Sequence, residues 1–337
     1  MTLKNARVAC VLCFCLGCGR KPNSTEGHAA ASAAPSTPTR NTAAQAPRLI
    51  EPTRLVSLPI SAYHVSLAID DEAVFLLTEH AAFRLVAGQP AHAIELDLGI
   101  GAVLTQSAFI FWSKGGIWRA PKQGGVTRQI AKFPHQLQYF VTSGEAFAWV
   151  DFSDEGLYTI QTLEAGKPRV LASSKGEIRA LNMIRDTIYF AQRPTDGTYR
   201  IGWVRTSGGD AEYAAERTGR APALLAGSDD VYYYDLDKSQ ILRLSPDLRR
   251  EETELKDFVC SPIQASSRIY CGCVEGLFDV SKETHQPRVL VHNRPGSITT
   301  IASNTKVVAW AVDLGPDSLA VDMLPVQGAE AQAGAQR

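Results

Sequence analysis

Seven short apolar runs recur along this chain at a nearly constant interval. They are Val74-Phe75-Leu76-Leu77, Phe109-Ile110-Phe111-Trp112, Phe147-Ala148-Trp149-Val150, Ile188-Tyr189-Phe190-Ala191, Val231-Tyr232-Tyr233-Tyr234, Ile269-Tyr270-Cys271-Gly272 and Val307-Val308-Ala309-Trp310. Their starting positions are separated by 35, 38, 41, 43, 38 and 38 residues. A period of this length marks similar units that bury apolar surface against one another, in a ring or an array. The runs are rich in β-branched and aromatic residues and are bounded by Gly, Pro and Asp, which is the pattern of strands. No segment sustains a helical period.

Each run opens a similar module. In the second module Phe109-Ile110-Phe111-Trp112-Ser113 is followed by the turn Lys114-Gly115, by Ile117-Trp118-Arg119-Ala120, by a Pro- and Gly-containing turn, and by a last strand at 126–130. A further strand precedes each run, as at 178–183 and 298–302. Four strands in each of seven modules describe an all-β, seven-bladed β-propeller. The last module runs one strand short, with strands at 298–302, 307–312 and 319–324. The segment 54–58 lies before the first blade and has the pattern of an outer strand. Pairing it with the last blade closes the ring and leaves no open edge. The propeller is expected to span 49–326.

Val231-Tyr232-Tyr233-Tyr234-Asp235 resembles the Val-Tyr-Trp-Thr-Asp signature of YWTD and TolB-like propellers, and Phe147-Ala148-Trp149-Val150-Asp151 is a looser copy. The resemblance covers 54–326 and is one of architecture. It implies that the blade aspartates, Asp151 and Asp235, tie neighbouring backbone together.

The N-terminus has a different character. Lys4 and Arg7 precede a short apolar stretch at 8–16, which is too short to span a bilayer. It ends in Cys15-Leu16-Gly17-Cys18, which resembles the bacterial lipoprotein signal, with Cys15 where Leu is usual. The resemblance implies cleavage after residue 17, a diacylglycerol on the sulfur of Cys18 and a third acyl chain on the new amino group. Several chains together give lasting anchorage. Residues 18–48 form a tether rich in Ala, Pro, Ser and Thr, and 327–337 form a similar tail; neither has the apolar content to order itself. Gly19 after the cysteine resembles the pattern sent to the outer membrane. The expected location is therefore outside the cytoplasm, lipid-anchored, facing the periplasm or the cell surface.

Three cysteines remain in the propeller: Cys260, Cys271 and Cys273. A hairpin turning at 266–267 places Cys260 opposite Cys273, at a separation suited to a disulfide, and an oxidising compartment favours one. Cys271 lies on the same strand and competes for the bond. Cys271-Gly272-Cys273 is one residue short of the usual metal or redox spacing, and no nearby His completes a zinc set.

Chemistry leaves few other marks. Nucleophile-elbow, zincin, Walker and dinucleotide motifs are absent from the sequence. Net charge is −1 with no basic stripe, so nucleic acid is not an expected partner. Charged residues recur after the second strand of successive blades: Glu79, Lys114, Asp151, Asp154, Arg193, Asp235 and Asp313. In a propeller these turns gather on one face, around the channel, so these seven are the candidate binding residues. Carboxylates converging there would suit Ca²⁺, and lactonase-type propellers use a channel metal. Lys114 and Arg193 oppose a cation, and Asp235-Leu236-Asp237 lacks the rest of a Ca²⁺ loop. No other cofactor is implied. The expected function is non-catalytic: a monomeric binding or scaffold module of the envelope. It would use loops of one face to meet a protein, a peptide or an envelope polymer, and would touch the membrane only through its lipid. The alternative is a metal-dependent hydrolase or lactonase working in the channel.

Overall fold

The computed structural model describes residues 51–326 apart from 62–64, 97–101, 133–136, 154, 195, 223–224, 228–229, 246, 248, 257–262, 266–267, 274–275, 281–285 and 293–295. The signal segment, Cys18, the tether, the tail, Asp154 and Cys260 lie outside the described residues.

The chain folds as seven antiparallel sheets. A first strand, β1 (Thr53–Leu58), precedes them. Blade 1 holds β2 (Ser66–Ile69), β3 (Val74–Leu77), β4 (Ala81–Leu85) and β5 (His92–Glu95). Blade 2 holds β6 (Ala102–Leu104), β7 (Ala108–Ser113), β8 (Gly116–Pro121) and β9 (Arg128–Lys132). Blade 3 holds β10 (Leu137–Ser143), β11 (Ala146–Phe152), β12 (Tyr158–Glu164) and β13 (Lys167–Ser174). Blade 4 holds β14 (Glu177–Ile184), β15 (Thr187–Arg193) and β16 (Thr198–Arg205), with its outer place shared by β17 (Glu212–Tyr213) and β18 (Arg217–Thr218). Blade 5 holds β19 (Leu225–Ala226), β20 (Val231–Asp235), β21 (Gln240–Leu244) and β22 (Glu251–Leu255). Blade 6 holds β23 (Ile263–Ala265), β24 (Ile269–Cys273), β25 (Gly276–Val280) and β26 (Pro287–His292). Blade 7 holds β27 (Ser297–Ser303), β28 (Val307–Gly315) and β29 (Ser318–Pro325).

The seven apolar runs are the second strands of these blades. The first strands touch one another in a closed cycle, β2 to β6, β10, β14, β19, β23, β27 and back to β2. They therefore ring the axis. As the sequence implied, β1 pairs antiparallel with β29 and supplies the missing strand of blade 7, with Leu58 opposite Leu319 and Thr53 opposite Met323. The Arg54 guanidinium clasps the buried Asp322 carboxylate through Nε and, at 3.1 Å, through Nη2. A bidentate pair of this kind fixes geometry as well as adding charge attraction.

Strand alternation explains the core. Successive side chains point to opposite faces of a sheet, so the odd and even positions of each run pack against different neighbours. Ala148 and Val150 meet Ile178, Ile188 and Phe190 of blade 4. Trp149, between them, meets Ile110 and Ile117 of blade 2. Seven such clusters fill the seven junctions. Burying an apolar side chain of this size contributes roughly 1.5–3 kcal/mol, repeated round the ring.

Two sequence expectations need correction. The outer strand of blade 2 begins at Arg128, two residues later than predicted, because Val126 sits exposed in the preceding turn. The register of the blade 6 hairpin also differs. In blade 6 Ile263 faces Cys271, so partner positions sum to 534, one more than the expected register. A shift of one residue changes which side chains share a face. Cys271 is fully buried between blades 5 and 6, and Cys273 is partly buried against the same cluster. The Cys260 end of the Cys260–Cys273 pairing expected from the sequence lies outside the described residues.

Candidate functional site

Antiparallel order decides which turns share a face. The turn between second and third strands and the linker to the next blade emerge at one end of every blade. The other two turns emerge at the opposite end. The first end is called the upper face here, the second the lower face.

Six of the predicted residues lie at upper-face turns of blades 1, 2, 3, 4, 5 and 7, and most are engaged locally; Asp154 lies outside the described residues. Glu79 sits in the turn after β3, where the Thr78 hydroxyl donates to the Ala81 carbonyl at 2.9 Å. Lys114 and Gly115, with φ of 50° and 72°, form the two-residue hairpin turn between β7 and β8. That turn matches the twist of the strands it joins. Asp151 is buried and accepts a hydrogen bond from the Gln161 amide, which also donates to Thr159. Asp235 is buried and accepts from the backbone N–H of Asp237 and Lys238 at 3.0 and 3.1 Å. Asp313 accepts from the N–H of Gly315 at 2.9 Å. Asp235 and Asp313 fasten their own turns, as short polar side chains commonly do, while Asp151 is tied to the neighbouring strand. Among the described residues no three His, Cys, Asp or Glu side chains gather as a metal-ligand set.

Arg193 alone belongs to a wider constellation, one the sequence reading missed. It ends β15, and its Nη2 lies 2.7 Å from Glu177 Oε2 at the start of β14. Arg179 Nη2 lies 2.9 Å from the same oxygen. Arg179 is the extra residue of a β-bulge, since Ile178 pairs with Gln192 and Ala180 with Ala191. Bulges re-aim a side chain out of the ladder. Gly176, just before β14, allows the backbone of β15 to come close: a Cβ there would meet Arg193 O at 2.7 Å. On the blade 3 side, the alternation that sends Ala148 and Val150 toward blade 4 sends Phe152 the same way. Its ring packs on Tyr158 with centroids 4.5 Å apart. Burial pushes the Tyr158 phenol above its ordinary value and the Glu177 carboxylate adds to this, with Arg179 and Arg193 acting in the opposite sense. The arginine pair and the aromatic pair are therefore close enough to feel one another.

A second upper-face feature is apolar. Phe152, Leu236 and Leu314 are 39%, 45% and 38% exposed, and each directly follows the aspartate of its blade, 3, 5 and 7. Two other large hydrophobics are comparably exposed among the described residues. Val126 lies on the lower face, and Val170 lies on the outermost strand of blade 3.

The lower face holds an open cleft of about 410 Å³ between blades 3 and 4, bordered by Glu145, Phe147, Thr162, Glu164, Arg169 and Ser207. Its arginine is already bound to Glu164 at 3.3 Å and to the Ser207 carbonyl.

No protein-family profile matches the chain, and no curated protein matches it. Solved structures do. The WD40 β-propeller domain of Doa1 is 12% identical with a TM-score of 0.58, over 81% of this chain and 97% of that one. The CNH domain of AfRom2 is 10% identical with a TM-score of 0.58, over 81% and 99%. The computationally designed protein Ika8 is 11% identical with a TM-score of 0.54, over 80% and 99%. At such identities the likeness is one of fold: a seven-bladed β-propeller.

Proposed function

We propose that this chain is an exported lipoprotein, anchored through Cys18, whose propeller is a monomeric, non-catalytic module that binds a protein or peptide through its upper face. The anchor rests on the Leu16-Gly17-Cys18 sequence after a short apolar stretch. The tether at 18–48 would hold the propeller off the membrane. The YWTD- and TolB-like reading of the blades rests on 231–235 and 147–151.

One observation carries the choice of face. Phe152, Leu236 and Leu314 stand exposed at its turns, while the aspartates beside them are engaged in local hydrogen bonds. Apolar and aromatic anchors within a polar surround are what protein interfaces use. The carboxylates that a channel hydrolase would need are held in separate blades by local hydrogen bonds, which weighs against that alternative.

The experiment is site-specific photo-crosslinking of the full-length chain in its membrane, with the photoreactive residue at 152, 236 or 314 and, for comparison, at 126 or 170. The reading expects one shared protein adduct from the first three positions and none from the last two. An adduct confined to 126 or 170 would move the interface elsewhere. Separately, Cys18→Ala should release the chain from the membrane fraction and abolish labelling by radioactive palmitate. Unchanged membrane attachment would refute the lipid anchor.

A further inference from the structure

The upper face carries a corner with chemistry of its own. Arg179 and Arg193 converge on a single oxygen of Glu177, yet their side chains remain 42% and 36% exposed. Each guanidinium offers about five N–H donors in a rigid fork, so one shared carboxylate oxygen leaves much of both forks facing water. The other acid within reach, Asp196, is 98% exposed and stands 3.8 Å from Arg193, a contact that solvent largely screens. Lys175, on the linker into β14, adds a third, exposed cation. On the blade 3 side Glu155 is exposed in the turn that follows Phe152. Glu177 holds the two arginines in place before any ligand arrives, which lowers the ordering cost of binding. Across the junction the half-exposed Phe152 ring packs on Tyr158, whose phenol feels Glu177 and both arginines.

We propose that this corner, between blades 3 and 4, is a recognition subsite for a carboxylate carried next to an aromatic or large apolar group, as at the C-terminus of a peptide ending in such a residue. The forks of Arg179 and Arg193 take the carboxylate, matching its two oxygens. Phe152 takes the adjoining apolar group. Glu177 positions the arginines and also competes for them. The proposal deepens the reading of the upper face as the binding face and rests on it.

The test uses the full-length chain in detergent micelles and calorimetric titration with four probes: N-acetylphenylalanine, its C-terminal amide, acetate and inorganic phosphate. N-acetylphenylalanine is expected to bind about tenfold or more tighter than the amide, the value of a charge-assisted contact. It should also exceed acetate and phosphate, which lack the ring. Arg193→Gln and Arg179→Gln should each weaken it about tenfold. Phe152→Ala should weaken it several-fold and leave acetate unchanged. Glu177→Gln should tighten it, because the competing charge is gone; a merely structural Glu177 gives the opposite sign.

Equal binding of acid and amide overturns the proposal, as does phosphate matching N-acetylphenylalanine. A weaker Glu177→Gln at an unchanged unfolding temperature overturns it too. If Glu177→Gln does not fold, Arg193→Lys replaces it: the charge stays but the fork is lost, and several-fold weaker binding is expected. No change there is equally fatal. The two readings fail separately. Crosslinks at 152, 236 and 314 without probe discrimination sink the subsite and keep the face. Probe discrimination without crosslinks does the reverse.

Discussion

The two faces of this propeller use their polar residues in opposite ways. On the lower face, side chains reach from blade to blade. Lys122 of blade 2 binds Asp70 of blade 1 at 2.7 Å. Asn304 of blade 7 donates to the Asp70 carbonyl, and Lys306 reaches Asp71. Ser107 and Arg119 of blade 2 share Glu145 of blade 3, and Arg169 of blade 3 donates to the Ser207 carbonyl of blade 4. Blades 7, 1, 2, 3 and 4 are thus stitched in a row. On the upper face the aspartates mostly turn back on their own loops, with cross-blade ties at Gln192 to Ser174 and at Arg220 to Asp237. What faces outward there includes the apolar side chains of Phe152, Leu236 and Leu314 and the cations Arg179 and Arg193, beside exposed acids such as Asp196. A polar group engaged with a neighbouring blade contributes to the ring's stability. A group left facing water is available to a partner. The lower face reads as framework and the upper face as surface for recognition.

Substitutions can break that contrast. The largest effect should come from a site that serves both faces, the ring closure. Asp322→Ala leaves Arg54 without its buried partner and removes the clasp on β1, at a cost of about 3 kcal/mol, measured by urea unfolding. A loss under about 1 kcal/mol would show that β1 is held by its ladder alone. Next is the lower-face staple. Asp70→Ala should cost about 2 kcal/mol, since it removes the Lys122 bridge and the acceptor for the N–H of Glu72 and Ala73.

This staple also sets a pH dependence. Burial works to raise the Asp70 carboxyl, but the Lys122 hydrogen bond and the two backbone N–H groups outweigh it and hold the carboxyl below its ordinary value of 3.8. A lowered folded-state value means stability that is present above the unfolded value and lost as the pH falls through the folded one. The gap between wild type and Asp70→Ala should therefore be full at neutral pH and narrow below about pH 4. A gap that stays constant down to pH 2.5 would assign the effect to packing.

Smaller still is Asp235→Ala, about 1 kcal/mol for two turn hydrogen bonds. It should loosen the blade 5 turn and weaken crosslinking from 236 while sparing that from 152. The smallest effects on stability belong to Phe152→Ser, Leu236→Ser and Leu314→Ser, each below about 1 kcal/mol because a large part of each side chain already faces water. They should nonetheless remove partner capture. Large destabilisation by any of them would make the upper-face residues structural and erase the contrast between the faces.

Much of the frame was legible from the chain alone. The runs at 74, 109, 147, 188, 231, 269 and 307 mark the second strands because apolar alternation and turn residues are local properties, readable within ten residues. The closing strand at 54–58 followed from counting, since a last blade one strand short needs a partner. The resemblance of 231–235 to the YWTD signature also implied that Asp235 ties nearby backbone, and it accepts from the N–H of Asp237 and Lys238. The register of β23 against β24 was less legible, because a single step of pairing sends every side chain to the other face of the sheet and no local pattern fixes that step. At the corner, only Arg193 was anticipated. Arg179 was hidden by its bulge, which breaks the period-two pattern that sequence reading relies on. Glu177 and Tyr158 looked like ordinary strand-end residues.

Sequence by itself determined the number of blades, the strand count within them, the closure at 54–58 and the placing of the charged turns on one face. Each is fixed by periodicity along one stretch of chain. Tertiary structure alone decided that Arg179, Arg193, Glu177, Phe152 and Tyr158 gather at one corner, that the blade 6 hairpin pairs one step away from the expected register, and which polar groups tie neighbouring blades. Those outcomes depend on how one twisted sheet is rotated against the next and on a one-residue bulge. No local pattern encodes such a rotation, because it results from packing seven blades into a closed ring at once.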